Sequence, residues 1–152
     1  MFLRHALPSG FLAVGLLIGC SGGAKREVVP PLEPVTGKVT IDGQPAERVN
    51  VSFYPAPNNK SNAAFGSTDA SGAYTLKYKT GAGSSGIAAG DYVVLFSKLT
   101  QPDGSPIPAD KTAADVNAID QIHERYRTTD NPQNTVSVPK GGKTFDFDLK
   151  SK

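Results

Sequence analysis

The chain has no tryptophan, one cysteine (Cys20), two histidines (His5 and His123) and no apolar run long enough to cross a bilayer. Each shortage closes off a class of protein. A single thiol forbids an intrachain disulfide, so the fold must be stable by packing alone. A zinc-type site draws on three or four clustered His, Cys or carboxylate ligands, and this chain supplies no second histidine near His123. A Ser-His-Asp arrangement would have to use His123, and no serine stands in the Gly-x-Ser-x-Gly setting of a nucleophile elbow. Charge is nearly balanced: 16 Lys and Arg against 14 Asp and Glu give +2, without the basic excess that nucleic-acid binding uses. The glycine-rich residues 80–90 lack the Gly-Lys-Ser/Thr ending of a phosphate loop, and no strand-helix-strand unit surrounds them.

The strongest apolar run, residues 11–19, falls well short of the roughly 20 residues that a membrane-spanning helix needs. Arg4 and His5 precede it, Pro8, Ser9 and Gly10 break the chain before it, and small residues close it. That is the layout of a secretory signal peptide. The residues Leu17, Ile18, Gly19 and Cys20 resemble the lipobox of bacterial lipoproteins. The resemblance implies cleavage before Cys20, a lipid on its thiol, and membrane attachment in the cell envelope. Ser21, where an aspartate would retain such proteins at the inner membrane, implies the outer membrane. Residues 1–19 are therefore expected to be a signal peptide. Residues 20–34 are expected to be a lipidated tether, extended by Pro30, Pro31 and Pro34.

Beyond the tether the pattern is that of strands. The 16 glycines and 12 prolines fall between short apolar runs, which argues for many turns and an all-β domain. Val35, Gly37, Val39 and Ile41 alternate with Thr36, Lys38 and Thr40, a half-buried strand. Val49, Val51 and Phe53 line a second strand, and residues 63–68 form a third. Asp69, Ser71 and Gly72 supply a hairpin turn before Tyr74, Leu76 and Tyr78. Residues 91–98 are apolar on both faces, as in a strand covered on each side. Residues 134–138 and 143–149 complete seven strands, with Phe145, Phe147 and Leu149 inward and Asp146 and Asp148 outward. Between them, Val116, Ile119, Ile122 and Tyr126 recur at helical spacing, and Thr112 with Asp115 fits a capping-box-like start. A helix docked through that stripe is expected within a 99–133 insertion, leaving Asp115, Asp120, Glu124 and Arg125 in water.

The ordered pieces VTGKVTIDGQPAERVNVSFYP, STDASGAYTL and AAGDYVVLFSK resemble the carboxypeptidase regulatory-like, or transthyretin-like, domain. The closing residues 125–149 are similar to the end of small bacterial lipoproteins that carry it. The resemblance implies a seven-stranded Greek-key β-sandwich over residues 35–150. Transthyretin-like hydrolases rely on several histidines and a terminal Tyr-Arg-Gly-Ser, both missing here, so no catalysis is expected. Neither a cofactor nor a metal is expected. Asp146 and Asp148 read as alternating charge on a solvated face, a calcium contact with Asp42 or Asp69 being the alternative. The expected role is a lipid-anchored structural or protein-interaction module of the envelope. The alternative is a carbohydrate-binding module, in which Tyr54, Phe65, Tyr74 and Tyr78 would supply the aromatic platform although strand packing turns several of them inward.

Overall fold

The computed structural model describes residues 29–78 and 84–151. The elements in chain order are β1 (Val35–Ile41), β2 (Gln44–Pro45), β3 (Asn50–Pro55), β4 (Ala64–Ser67), β5 (Ala73–Thr75), β6 (Lys77–Tyr78), β7 (Gly90–Ser97), β8 (Leu99–Thr100) and β9 (Ile119–Asp120). A 3-10 turn (Glu124–Tyr126), β10 (Thr135–Val138), β11 (Lys143–Thr144) and β12 (Phe147–Leu149) complete the order. Among the described residues there is no α-helix, and the fold is sandwich-like and nearly all β.

One five-stranded sheet is built on β1, with β2 and β5 antiparallel to it and β11 and β12 parallel. Val35 faces Lys143 and Val39 faces Phe147 in one unbroken register, so β11 and β12 are two halves of a single strand interrupted at Phe145 and Asp146. At the interruption the Lys38 amide donates to Asp146 Oδ1 (2.8 Å) in place of a ladder carbonyl. The other sheet is antiparallel in the order β10-β7-β3-β4-β6. Between the two lie Val35, Val39 and Leu149 from the first and Val51, Phe53, Tyr92, Val94 and Phe96 from the second, all at most 2% exposed. Phe53 meets Phe145 at 6.1 Å and Phe147 at 6.5 Å, and Phe96 meets Phe147 at 5.0 Å, so aromatic contacts tie sheet to sheet. Each such side chain buried stabilises the fold by about 1.5–3 kcal/mol.

Local chemistry sets the turns. Asp42 (φ 50°) and Gly43 (φ 80°) both adopt positive φ, the two-residue turn that matches strand twist, and Ile41 pairs with Gln44 across it. Pro45, which has no amide to donate, sits opposite Thr40 at the end of this hairpin. Asp69 Oδ1 accepts from the amides of Ser71 (2.8 Å) and Ala73 (3.0 Å) and closes the next turn as expected. Its arms nevertheless do not form a hairpin ladder. β4 pairs with β6, whereas β5 pairs with β1, and the chain crosses between sheets at the buried Leu76. Tyr92 Oη donates to Ala88 O (2.8 Å), a tyrosine-corner contact that fixes the entry into β7.

The chain enters where Glu33 pairs with Ile87 and its Oε2 accepts from the Gly141 amide (2.8 Å). From there β1 runs to the opposite end, where the Asp42-Gly43 turn, the β8–β9 ribbon and the last described residues gather. The Lys150 amide donates to Tyr126 Oη there (3.2 Å).

The expected helix in the 99–133 insertion is not formed. Its start signal is real: the Thr112 amide donates to Asp115 Oδ2 (2.8 Å) and the Asp115 amide to Thr112 Oγ1 (3.3 Å). One turn later Asn117 adopts φ 48° and the coil stops. Ile119 and Asp120 then pair with Thr100 and Leu99, and Asp120 Oδ1 accepts from the amides of Lys98 (3.0 Å) and Ile122 (2.9 Å). Short helices depend on tertiary packing, and here the ribbon takes the backbone instead. The apolar stripe is accordingly split. Ile122 is buried at 3% exposure and Tyr126 packs on the core, while Ile119 is 45% exposed. Asp120 and Arg125, expected in water, are half-buried.

Candidate functional site

Three kinds of side chain carried the expectations of chemistry: the aspartates, His123 and the tyrosines. The aspartates are engaged by their own surroundings. Asp148 Oδ1 accepts from Thr40 Oγ1 (2.8 Å) and the Gly43 amide (3.0 Å), and Oδ2 pairs with the Lys150 ammonium. Lys150, then Thr40 and the Gly43 amide, hold this carboxyl down at about 2, and the pairing raises Lys150 in turn. Asp42 Oδ1 accepts from the Ser151 amide (3.2 Å) and lies near enough to Asp148 to feel its charge. Asp69 belongs to its turn, away from them. Among the described residues no three His, Cys, Asp or Glu side chains are grouped as metal ligands. His123 caps the 3-10 turn, its Nδ1 accepting from the Arg125 amide (3.2 Å). Cys20, Leu17, Ile18 and Gly19 lie outside the described residues.

The tyrosines divide by strand parity. Tyr74 and Tyr78 are 3% exposed. Tyr74 Oη donates to Phe145 O (2.8 Å), and burial pushes its hydroxyl well above the usual tyrosine range. Tyr78 Oη accepts from the Asn62 amide (3.1 Å). Both are therefore structural. Tyr54 lies between the inward Phe53 and Pro55 at the end of β3, faces out, and is 40% exposed. Phe65, its neighbour on β4, meets the Tyr54 ring edge-on at 5.9 Å and 84°. This pair is the outward aromatic feature of the antiparallel sheet.

Two grooves flank the pair. The larger, about 690 Å³, runs along the crossover between sheets from Phe65 to Asp69, Tyr74 and Tyr78. Its tyrosine hydroxyls and the Asp69 carboxylate are the groups already hydrogen-bonded within the fold. The second, about 490 Å³, lies between Tyr54 and Leu95 on the sheet and Glu124, Arg127, Thr128 and Asp130 on the loop above. Sequence reasoning left Glu124 in water on a helix and gave Arg127 no part in a site. Their spacing of three is the signal that places them together, because residues i and i+3 of a 3-10 turn eclipse. The turn is closed by the Arg127 amide donating to Glu124 O (2.8 Å). Among the described residues the ion pairs are Arg48 with Glu47 and Lys150 with Asp148, so Glu124, Arg127 and Asp130 carry charge that no ion pair engages.

Comparisons with protein-family models, curated proteins and solved structures return no match to this chain.

Proposed function

We propose that the chain is a lipid-anchored, non-enzymatic protein of the bacterial cell envelope whose β-sandwich is a structural or protein-interaction module. Residues 1–19 act as the signal peptide, residues 20–34 as the lipidated tether, and residues 35–150 as a seven-stranded Greek-key domain of the transthyretin-like kind. The observation that carries this reading is Leu17-Ile18-Gly19-Cys20 at the end of a short apolar run, with Cys20 the sole thiol of the chain. The β8–β9 ribbon and the Asp42-Gly43 turn lie at the end opposite the tether's entry, where a membrane-attached module would meet its neighbours. The engagement of His123 and the aspartates in turns and caps supports a role in binding rather than turnover.

Metabolic labelling with palmitate tests the anchor. The native chain is expected to take up label and fractionate with the outer membrane, and Cys20→Ser to lose both properties. Equal labelling of the two chains overturns the reading. Crosslinking in intact envelopes then identifies the component that the sandwich touches.

A further inference from the structure

We infer that the groove beneath the 124–130 loop is a glycan site, selective for neutral oligosaccharides of pyranoses with equatorial hydroxyls. Its floor is the outward face of the antiparallel sheet. Tyr54 and Val93 are opposite one another in the ladder, Leu95 is opposite Ser52, and Phe65 completes the row. Their neighbours Phe53, Tyr92, Val94 and Phe96 all point into the core. The perpendicular contact with Phe65 restrains the Tyr54 ring, which is 40% exposed and borders the groove, so the aromatic ring is positioned at low conformational cost. The 3-10 turn packs on β7 and brings Glu124 and Arg127 over the same place, with Asp130 beyond them.

The lining suits one class of ligand. A pyranose with equatorial hydroxyls has flat C–H faces that stack on an aromatic ring and a rim of hydroxyls that need charged or polar partners. The ring supplies the first requirement, and two carboxylates with one guanidinium supply the second as strong, charge-assisted hydrogen bonds. Two negative charges against one positive disfavour uronic acids and other anionic sugars. The volume of about 490 Å³ is within the roughly 300–1,000 Å³ of ordinary ligand sites. In the larger groove the two tyrosine rings are turned inward with their hydroxyls bonded, and the Asp69 carboxylate is engaged by its own turn. This inference takes up the carbohydrate-binding alternative to a protein-interaction module and does not rest on the anchor, so glycan binding and palmitate labelling fail independently.

The test is calorimetric titration of the full chain with cellohexaose, chitohexaose and polygalacturonate. Binding of cellohexaose or chitohexaose is expected, with polygalacturonate weaker. Tyr54→Ala is expected to weaken binding about tenfold or more, the loss of roughly 1.4 kcal/mol, while Tyr54→Trp retains it. Arg127→Ala, at an exposed loop position, is expected to weaken binding with the melting temperature unchanged, and it keeps the test decisive if Tyr54→Ala fails to fold. Absence of binding to both neutral sugars overturns the inference. So does tighter binding of polygalacturonate, or neutral-sugar binding that Tyr54→Ala and Arg127→Ala both leave unaltered.

Discussion

Gly37→Ala is expected to destabilise the sandwich far beyond the usual effect of such a change. In an unobstructed strand, alanine in place of glycine stabilises by about 0.5–1 kcal/mol, because glycine loses more backbone freedom on folding. At Gly37 a Cβ would overlap the Phe145 carbonyl oxygen and lie 2.7 Å from its carbon and 2.9 Å from Tyr74 Cε1. The obstruction is mostly backbone, in a strand held to β1 on both sides of the interruption, so no flexible side chain can swing away. Overpacking of this kind costs about 1–3 kcal/mol or more. Moving the carbonyl also weakens the bond it accepts from Tyr74 Oη, worth about 0.5–1.5 kcal/mol. Set against the backbone gain of about 0.5–1 kcal/mol, the net cost is about 1–4 kcal/mol. For a domain of this size each kcal/mol lowers Tm by roughly 3–5 °C, so a fall of about 10 °C is expected in melts followed by circular dichroism. Tyr74→Phe, which removes the hydroxyl alone, is expected to fall by about a third of that. The double variant should lose less than the sum, since both changes act on the Phe145 carbonyl. Gly37→Ala melting at or above the native temperature would refute the close approach of β1 and the last strand.

Ile122→Asp is expected to cost about 3 kcal/mol or more, because the residue is 3% exposed within the core. Ile119→Asp, at a 45% exposed position, should stay within about 1 kcal/mol in the same denaturant titration; equal losses would contradict the split of the stripe. Acid should destabilise the domain in a stated window. The Asp148 carboxyl is lowered from 3.8 to about 2 by its bonds to Lys150, Thr40 and the Gly43 amide. Its contribution is complete above its unfolded value and lost as pH falls through the folded one. Asp42, Asp69, Asp103 and Asp115 are shifted in the same direction by their own hydrogen bonds. Asp148→Asn should therefore flatten part of the Tm decline between pH 3.8 and about 2, and an unchanged slope would show that its bonds do not form in solution.

Parity along each strand was readable without any tertiary knowledge. Val35 and Val39, Val51 and Phe53, Tyr74 and Tyr78, and Leu149 are buried as their alternation requires, since successive side chains must point to opposite faces. The same rule turns Tyr54 outward, so one half of the candidate site was legible. Turn chemistry was legible too, at Asp69, Ser71 and Gly72, because those preferences are local. Partner choice was not. Nothing within residues 73–78 distinguishes the half that joins β1 from the half that joins β4, because period two states a face and not a neighbour. The insertion shows the same limit. Thr112 and Asp115 nucleate a turn, but the ribbon with β8, the αL conformation of Asn117 and the burial of Ile122 decide the path of the chain beyond it. The meeting of Tyr54 with Glu124 and Arg127 belongs wholly to tertiary structure. It depends on a 3-10 turn seated on β7, and a contact between distant segments exists only once long-range packing has offset the entropy of closing the loop between them.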